Sequence, residues 1–306
     1  MRVIYLGTPD FAVKPLEKIF SLKNFEIVSV VTNKDKPVGR KQVLTPPPVK
    51  VKALELGIPV LQYDKIKVEG VEDLKALNPD LMITCAFGQI LSQEILDIPK
   101  LGVINIHASL LPKYRGASPI NFAILNGEKT TGITVMKTDI GIDTGDMIYK
   151  EEISINDDET AGELFERLSI LGANCIEKVL SNLLNGKMPL EKQVESDATY
   201  TKIIKKEMAK IDFSKNAKDV ANTIRAFNPS PVAFTFLNGE IFKIYSAKET
   251  KESGKAGTVI VSDKRLVVAC GEGAVELLKV QKCGGKPLNI KDFLAGNKLP
   301  LGTEFK

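Results

Sequence analysis

Asn105 and His107 are the residues whose types and spacing most directly suggest chemistry in this 306-residue chain. They stand in the stretch INIHASLLPKYRG, residues 104–116, and His107 is the only histidine of the sequence. Residues two apart in a β-strand project from the same face, so the amide and the imidazole would lie side by side. Such a pair can hold a developing oxyanion and move a proton. The alternative is a histidine hydrogen-bonded for structure alone, and the spacing leaves both interpretations open.

A second candidate is the acidic, glycine-rich stretch KTDIGIDTGDMI, residues 137–148, which contains Asp139, Asp143 and Asp146. It follows the predicted strand GITVMK, so it lies beyond the end of a strand, as the first pair does. A carboxylate here could orient the imidazole and stabilise its charged form. The spacing differs from that of a calcium-binding loop, so no metal site is predicted. Asp139 and Asp146 could equally cap turns.

Three further stretches could bind ligands. ASLLPKYRGASP after His107 is a long, proline-shaped loop that could line a pocket with backbone amides, or it could be an ordinary connection. The long loop 33–50 and the segment 202–210 are rich in basic residues, which could contact phosphates or simply face solvent. The basic side chains that carry this hypothesis are Arg40, Lys41, Lys202, Lys205 and Lys206.

Missing motifs narrow the class of protein. GTPDF after the first predicted strand is not G-x-G-x-x-G, so no nicotinamide cofactor is predicted. The sequence also lacks a Walker loop and the G-x-S-x-G motif of hydrolases. None of the four cysteines forms a CxxC pair, which argues against zinc; three are predicted to be buried and Cys283 to lie in a turn.

Hydrophobic periodicity predicts two kinds of architecture along the chain. Short apolar runs alternate with helical patterns in the first half, which indicates a mostly parallel, Rossmann-like sheet flanked by helices. The predicted strands are 2–7, 26–32, 80–86, 102–107 and 132–137, and the predicted helices include 47–57, 71–77, 89–96, 118–126 and 160–185. Ligands of such sheets bind beyond the carboxyl ends of the strands, where Asn105 and His107 are expected.

The second half has a different pattern. Regularly spaced short β runs after about residue 207 predict a small antiparallel, OB-like β-barrel. We therefore expect a catalytic domain over 1–189, a linker over 190–206 and a barrel over 207–306. The barrel region carries 16 basic and 11 acidic residues, a weak indication of a polyanionic partner or ordinary surface variation.

Targeting signals are not predicted. No apolar run is long enough to span a bilayer, and the first residues are better explained as a strand than as a signal peptide. We therefore expect a cytoplasmic protein with no membrane association. A monomer is expected because no dedicated assembly element is visible.

Together these motifs resemble the methionyl-tRNA formyltransferase family of the folate-dependent formyltransferase superfamily. LGTPDFA, DKPVGR, CAFGQIL, INIHASLLPKYRGASPI and TDIGIDTGDM are similar to its N-terminal motifs in order and spacing. KEMAKIDF, IRAFNPSPVAFTFL and NIKDFLAGNKLPLGTEF are similar to its C-terminal domain. The resemblance implies 10-formyltetrahydrofolate as formyl donor and the amino group of methionyl initiator tRNA as acceptor.

Carried onto matching positions, the resemblance implies Asn105, His107 and Asp143 as catalytic residues, with Asp143 orienting the histidine. It implies tRNA binding by Arg40 and its loop. Folate contacts are implied for Ser109, Leu110, Leu111, Pro112, Phe87, Gln89, Ile90, Leu91 and Asp139. One departure concerns tryptophan, which the family often has where this chain reads IDF (211–213) and NPSP (228–231).

Two rival functions remain open. One is another folate formyltransferase, acting on a nucleotide sugar or a purine precursor; the basic loop and the basic barrel region argue against it. The other is a tRNA-binding module without catalytic activity. The presence of Asn105, His107 and Asp143 argues against that rival.

Overall fold

The computed structural model describes residues 1–39 and 41–306, which fall into two compact units. The first unit is Met1–Pro119, Thr131–Ile153 and Phe165–Thr201, and the second is Ile120–Thr130, Ser154–Leu164 and Lys202–Lys306. The chain therefore passes between the units several times, and each unit contains segments that are far apart in sequence.

Strands and helices are numbered here along the chain. The strands are β1 (Arg2–Gly7), β2 (Glu26–Asn33), β3 (Lys36–Val38), β4 (Val43–Thr45), β5 (Val60–Tyr63), β6 (Leu81–Cys85), β7 (Val103–His107), β8 (Arg115–Gly116), β9 (Thr130–Lys137), β10 (Met147–Ser154), β11 (Tyr200–Thr201), β12 (Ala233–Leu237), β13 (Glu240–Thr250), β14 (Val259–Ser262), β15 (Leu266–Ala269), β16 (Ala274–Lys282) and β17 (Leu288–Asn289). The helices are α1 (Val13–Ser21), α2 (Pro48–Glu55), α3 (Ile66–Glu69), α4 (Val71–Ala76), α5 (Gln93–Leu96), α6 (Pro119–Leu125), α7 (Ala161–Leu184), α8 (Ala217–Ala226) and α9 (Ile290–Gly296). Within the described ranges, no helix is long and apolar enough to cross a membrane.

A central sheet organises the first unit. Over the described residues its strand order is β10-β9-β7-β6-β1-β2-β5. The five strands from β5 to β7 run parallel, and β9 pairs antiparallel with β7. β1 and β6 are apolar and buried along almost their whole length, as expected for parallel strands covered on both faces. The prediction of a mostly parallel sheet is confirmed.

The strand order reverses at β1, which places β2 and β5 on one side and β6 and β7 on the other. Ligands of open parallel sheets bind outside the carboxyl ends of the strands next to such a reversal. β6 ends at Cys85 and β7 ends at His107, so the loops that follow them lie at this edge. The fold therefore places the histidine at the edge of the sheet where ligands bind.

The structure corrects one predicted helix. Over 89–96 only α5, Gln93–Leu96, is helical. The chain leaves β6 through Ala86 and Gly88, which both have positive φ, so it turns before a helix can form. The residues between Gly88 and α5 form a loop at the carboxyl edge of the sheet instead.

An antiparallel sheet organises the second unit, with the order β12-β13-β16-β15-β14 and β17 beside β16. The C-terminal residues connect its two edges: Phe236 N–H donates to Lys306 O at 2.9 Å, and Val259 N–H donates to Thr303 O at 2.9 Å. Phe305 packs inside against Phe242. This pairing closes the sheet and confirms the antiparallel prediction.

Helix α8 was not expected among the β runs. Asn216 caps it by accepting a hydrogen bond from the Asp219 backbone N–H at 2.8 Å. An asparagine three residues before an aspartate is a recognisable helix start, so the sequence contained a signal for this element.

Candidate active site

Asn105 and His107 occupy the carboxyl end of β7, as their spacing predicts. Asn105 pairs with Thr84 of β6 in the sheet. The Thr84 hydroxyl donates to Asn105 Oδ1 at 2.8 Å. Because the amide oxygen is engaged in this way, the Nδ2 donor faces the loop that carries Asp143. The neighbouring strand thereby sets the orientation of the amide.

Asp143 is the residue at which the candidate catalytic side chains meet. Its Oδ1 lies 3.4 Å from Asn105 Nδ2, and its Oδ2 lies 3.5 Å from His107 Nδ1. The backbone N–H of Gly116 donates to Oδ2 at 2.8 Å. The structure thus gathers Asn105, His107 and Asp143 in one cluster, although Asp143 follows Asn105 by 38 positions.

Both ring nitrogens of His107 face oxygens. Nε2 lies 3.0 Å from the carbonyl oxygen of Tyr114, and Nδ1 faces the Asp143 carboxylate. Tyr114 and Asp143, which supply these oxygens, both have positive φ, at 61° and 53°. For residues other than glycine this conformation is energetically costly. It persists only where the surrounding structure holds the residue in place. The imidazole, whose side chain is 7% exposed, therefore contacts a residue of unusual backbone conformation at each edge.

The loop Ser109–Pro112 follows the histidine directly. The Ser109 hydroxyl donates to Lys113 O at 2.6 Å, and Leu111 packs in the core against Met136 and Met147. Both side chains are thus occupied within the fold, whereas Leu110 and Pro112 are half-buried. What this loop can present to a ligand is its backbone together with Leu110 and Pro112.

The residues after β6 differ in what they can offer a ligand. Phe87 and Leu91 are buried in the core, while Ile90 is 70% exposed. Gln89 Nε2 donates to Asn33 Oδ1 at 2.8 Å, which ties this loop to the end of β2. Of the four residues implicated by the resemblance, Ile90 has the side chain that is most open to a ligand.

Asp139 shapes its own loop. Its Oδ1 accepts hydrogen bonds from Gly141 N–H at 3.1 Å and from the Thr144 hydroxyl at 2.7 Å. It also lines a groove of about 700 Å³ together with Lys100 and Lys137. The contacts of Asp139 therefore show that it caps a turn, which was one of the alternatives drawn from the sequence.

The predicted tRNA-binding residues are distributed over both units. Arg40 lies outside the described residues. Lys41 is exposed between β3 and β4 in the first unit, and Lys202, Lys205 and Lys206 are exposed in the second.

Several neighbours of the cluster were not anticipated from the sequence. The backbone carbonyl of Tyr114 contacts His107, and the backbone N–H of Gly116 contacts the Asp143 carboxylate. Because these groups belong to the backbone, the residue types do not reveal such contacts. Arg115 is almost completely buried, although arginine side chains are usually exposed, so its burial could not be expected from the sequence. Gln193, from the predicted linker, contacts the backbone of Asp143.

The arrangement can perform acyl-type chemistry. An amide donor and an imidazole that each lie within 3.5 Å of a shared carboxylate can stabilise an oxyanion and transfer a proton. Over residues 1–39 and 41–306, no group of three or more His, Cys, Asp or Glu side chains is placed to hold a metal ion.

Comparison with known families and relatives identifies the family. The family model "Formyl transferase" matches residues 1–180, and the model "Formyl transferase, C-terminal domain" matches residues 203–298. The methionyl-tRNA formyltransferase of Caldanaerobacter subterraneus subsp. tengcongensis is 44% identical over the whole of both chains. That of Geobacter metallireducens is 46% identical over 99% of this chain and 97% of its own.

Solved structures share the fold. A Helicobacter canadensis N-formyltransferase in complex with folinic acid and dTDP-3-aminofucose has a TM-score of 0.67 at 24% identity, covering 92% of this chain and 98% of its own. WlaRD, a sugar 3N-formyl transferase, has a TM-score of 0.68 at 23% identity, covering 94% of this chain and 99% of its own. At such identities the likeness concerns the fold alone. The two domain models and the full-length relatives place the chain in the formyl transferase family, among the methionyl-tRNA formyltransferases.

Proposed function

We propose that the chain transfers the formyl group of 10-formyltetrahydrofolate to the amino group of methionyl initiator tRNA, giving N-formylmethionyl-tRNA. The observation that carries the proposal is the cluster of Asn105, His107 and Asp143 at the carboxyl edge of the sheet. Relatives of matching length at 44% and 46% identity are named methionyl-tRNA formyltransferase, which supports this choice of acceptor.

The proposed reaction is an acyl transfer. The methionyl amine attacks the formyl carbon, and the carbonyl oxygen of the formyl group becomes an oxyanion. Asn105 Nδ2 carries two N–H groups, of which the Asp143 contact engages one, so the amide can donate to this oxygen. The intermediate then collapses with cleavage of the bond between the formyl carbon and N10 of the folate. The amine loses a proton, and the departing nitrogen gains one.

His107 contributes a second donor in this proposal. Its Nε2 contacts Tyr114 O, so donation to the oxyanion requires this hydrogen bond to be shared or exchanged. Asp143 keeps the ring in position from the Nδ1 side, which fixes where the Nε2 proton points. The carboxylate can also accept the amine proton through water.

The folate is proposed to lie against the open surfaces at this edge. Ile90, Leu110 and Pro112 offer apolar side-chain area, and the backbone of the loop before Pro112 offers polar groups. The remaining residues of the predicted folate set are proposed to support the residues that line this pocket.

The first prediction concerns the catalytic cluster. We expect His107→Ala to lower kcat about 10²–10³-fold, the effect of removing a donor to an oxyanion. Asp143→Asn should lower kcat by a similar factor, because the ring loses the carboxylate that orients it. Formation of formylmethionyl-tRNA from the folate donor and charged initiator tRNA measures this effect. Unchanged circular dichroism and thermal midpoint serve as the control for folding. Near-normal turnover in both variants would contradict the proposed roles, and a wild-type preference for an aminosugar nucleotide or a purine precursor would favour the rival acceptor.

The second prediction concerns tRNA binding. Replacing Lys202, Lys205 and Lys206 by alanine should weaken binding and flatten its salt dependence, because each lost phosphate contact removes about 0.7–0.9 from the log–log slope. The exposed residues Lys23 and Lys67 in the first unit provide a control. Their replacement should leave the slope nearly unchanged, and an equal effect in both sets would argue against a specific lysine track.

A further inference from the structure

Gln193 is hydrogen-bonded to the backbone of the loop that carries Asp143. Its Nε2 donates to the carbonyl oxygens of both Asp143 and Gly145, each at 2.8 Å. Asp143 has a φ of 53°, so the direction of its carboxylate depends on how the peptides beside it are held. A side chain that fixes two carbonyl groups of this loop therefore influences where the carboxylate points.

Arg115 holds Gln193 in turn. Its Nε donates to Gln193 Oε1 at 3.0 Å, while its Nη1 donates to the Glu195 carboxylate at 2.9 Å and to Tyr200 OH at 2.9 Å. A guanidinium can only donate, so it keeps the amide oxygen on its own side and leaves the amide N–H groups for the loop carbonyls. Burial acts to lower the pKa of Arg115, but the bonds to Glu195 and Tyr200 outweigh it and raise the pKa.

Arg115 stands between two residues that contact the cluster directly. Tyr114 O receives His107 Nε2, and Gly116 N–H donates to Asp143 Oδ2. Three consecutive residues thus contact the histidine, the carboxylate and Gln193. The Arg115 side chain is 1% exposed, so this segment has little freedom to move independently of Gln193.

Resting on the proposed function, we propose that Gln193 is a positioning residue for formyl transfer. It holds the Asp143 loop so that the carboxylate faces His107 and Asn105, and Arg115 sets the orientation of its amide. Neither residue contacts the reacting atoms in this proposal. Their effect passes through Asp143.

The test compares Gln193→Ala with Gln193→Glu. Alanine removes both hydrogen bonds to the loop, and we expect kcat to fall about 10- to 30-fold with KM for both substrates within about two-fold. Glutamate keeps the size and the Arg115 contact but places a carboxylate oxygen against two carbonyl oxygens. We expect it to be at least as defective as alanine. A glutamate variant with wild-type kcat would show that the contact with Arg115 alone matters and would overturn the proposal.

The matched control is Val194→Ala, a change at the neighbouring exposed position, which should leave kcat unchanged. Coupling to the carboxylate is tested in the Asp143→Asn background, where Gln193→Ala should have almost no further effect on kcat. An undiminished effect there would assign Gln193 a role independent of Asp143, against the proposal.

A readout without turnover separates this inference from the proposed function. The chain has one histidine, so the imidazole ¹⁵N signals at fixed pH report the surroundings of His107 alone. We expect Gln193→Ala to shift them in the same direction as Asp143→Asn, and Val194→Ala to leave them in place. Unchanged signals in Gln193→Ala would overturn the positioning role. Shifted signals in an enzyme that formylates no tRNA would uphold it and refute the proposed function instead.

Discussion

The orientation of a single amide decides what Asn105 can do. An asparagine presents a donor at one end of its amide and an acceptor at the other, and only the donor can stabilise an oxyanion. The Thr84 hydroxyl, on the adjacent strand, occupies the acceptor end at 2.8 Å. Thr84 is almost fully buried, so water does not readily replace it. We therefore expect Thr84 to influence the proposed reaction although it makes no contact with substrate.

Replacing Thr84 by valine should lower kcat about 3- to 10-fold, since one neutral hydrogen bond is worth about 0.5–1.5 kcal/mol. The two side chains have nearly the same shape, so the core packing is retained. Thr84→Ser keeps the hydroxyl and is the matched control, with kcat expected close to that of the wild type. Steady-state formylation at saturating substrates measures both. Equal kcat values for the valine and serine variants would show that the Asn105 amide is oriented by something else.

At the scale of elements, a two-residue ladder links distant parts of the chain. β8 and β11 pair in parallel, Tyr200 with Arg115 and Thr201 with Gly116. The Arg115 N–H donates to Thr199 O at 2.8 Å just before the ladder begins. Residues 190–201, inside the predicted linker, belong to the first unit and brace the loop that follows His107.

Gly116→Ala should disrupt this ladder. Gly116 has a φ of 104°, and an added Cβ would lie 2.7 Å from Thr201 O. Strain of about 1–2 kcal/mol from the positive φ adds to an overpacking cost of about 1–3 kcal/mol. We expect a lower free energy of unfolding in denaturant and a lower kcat, because the Gly116 N–H that holds Asp143 must move.

Gly57→Ala separates the two costs. Gly57 has a φ of 72° with no neighbouring atom within 4 Å of the added Cβ, so only the backbone strain applies. Its stability loss should be about 1–2 kcal/mol with kcat unchanged. A Gly116 variant no less stable and no less active than the Gly57 variant would contradict the bracing role of the ladder.

At the scale of the whole molecule, each unit encloses its own core. The sheet of the first unit buries Ile4, Leu6 and Met82, while the closed sheet of the second unit buries Phe242 and Phe305. Cys85, Cys175 and Cys270 are buried, as the sequence predicts. Cys283 lies in a turn after β16, also as predicted, and it is exposed.

Thiol labelling should therefore distinguish the four cysteines. Burial raises the pKa of Cys85 and of Cys175 to about 12 and that of Cys270 to about 11, so their reactive thiolate form is scarce in the folded protein. We expect a disulfide reagent to modify one thiol per chain under native conditions and four in guanidinium chloride. The variant Cys283→Ser should react only after unfolding. Rapid native labelling of a second thiol would indicate that one of the cores is open.

Elements with a strong local pattern were predictable. β1, β2, β6, β7 and β9 lie within two residues of their predicted limits, because strands that are buried for much of their length form recognisable apolar runs. β5 was missed because it is short and mostly half-buried at the sheet edge, so its sequence VLQY has no clear period. The ladder of β8 and β11 is two residues long and leaves no periodic signal at all.

The sequence by itself determined the type of sheet, the placement of Asn105 and His107 on one face of a strand end, and the family resemblance. These follow from local period and from motifs that are contiguous in the chain. Only the tertiary structure decided that Asp143 meets both residues, that Thr84 orients the amide, and that Gln193 and Arg115 hold the Asp143 loop. Such contacts join residues far apart in the chain. They depend on strand order and on backbone conformations such as the positive φ of Asp143, which residue type does not specify.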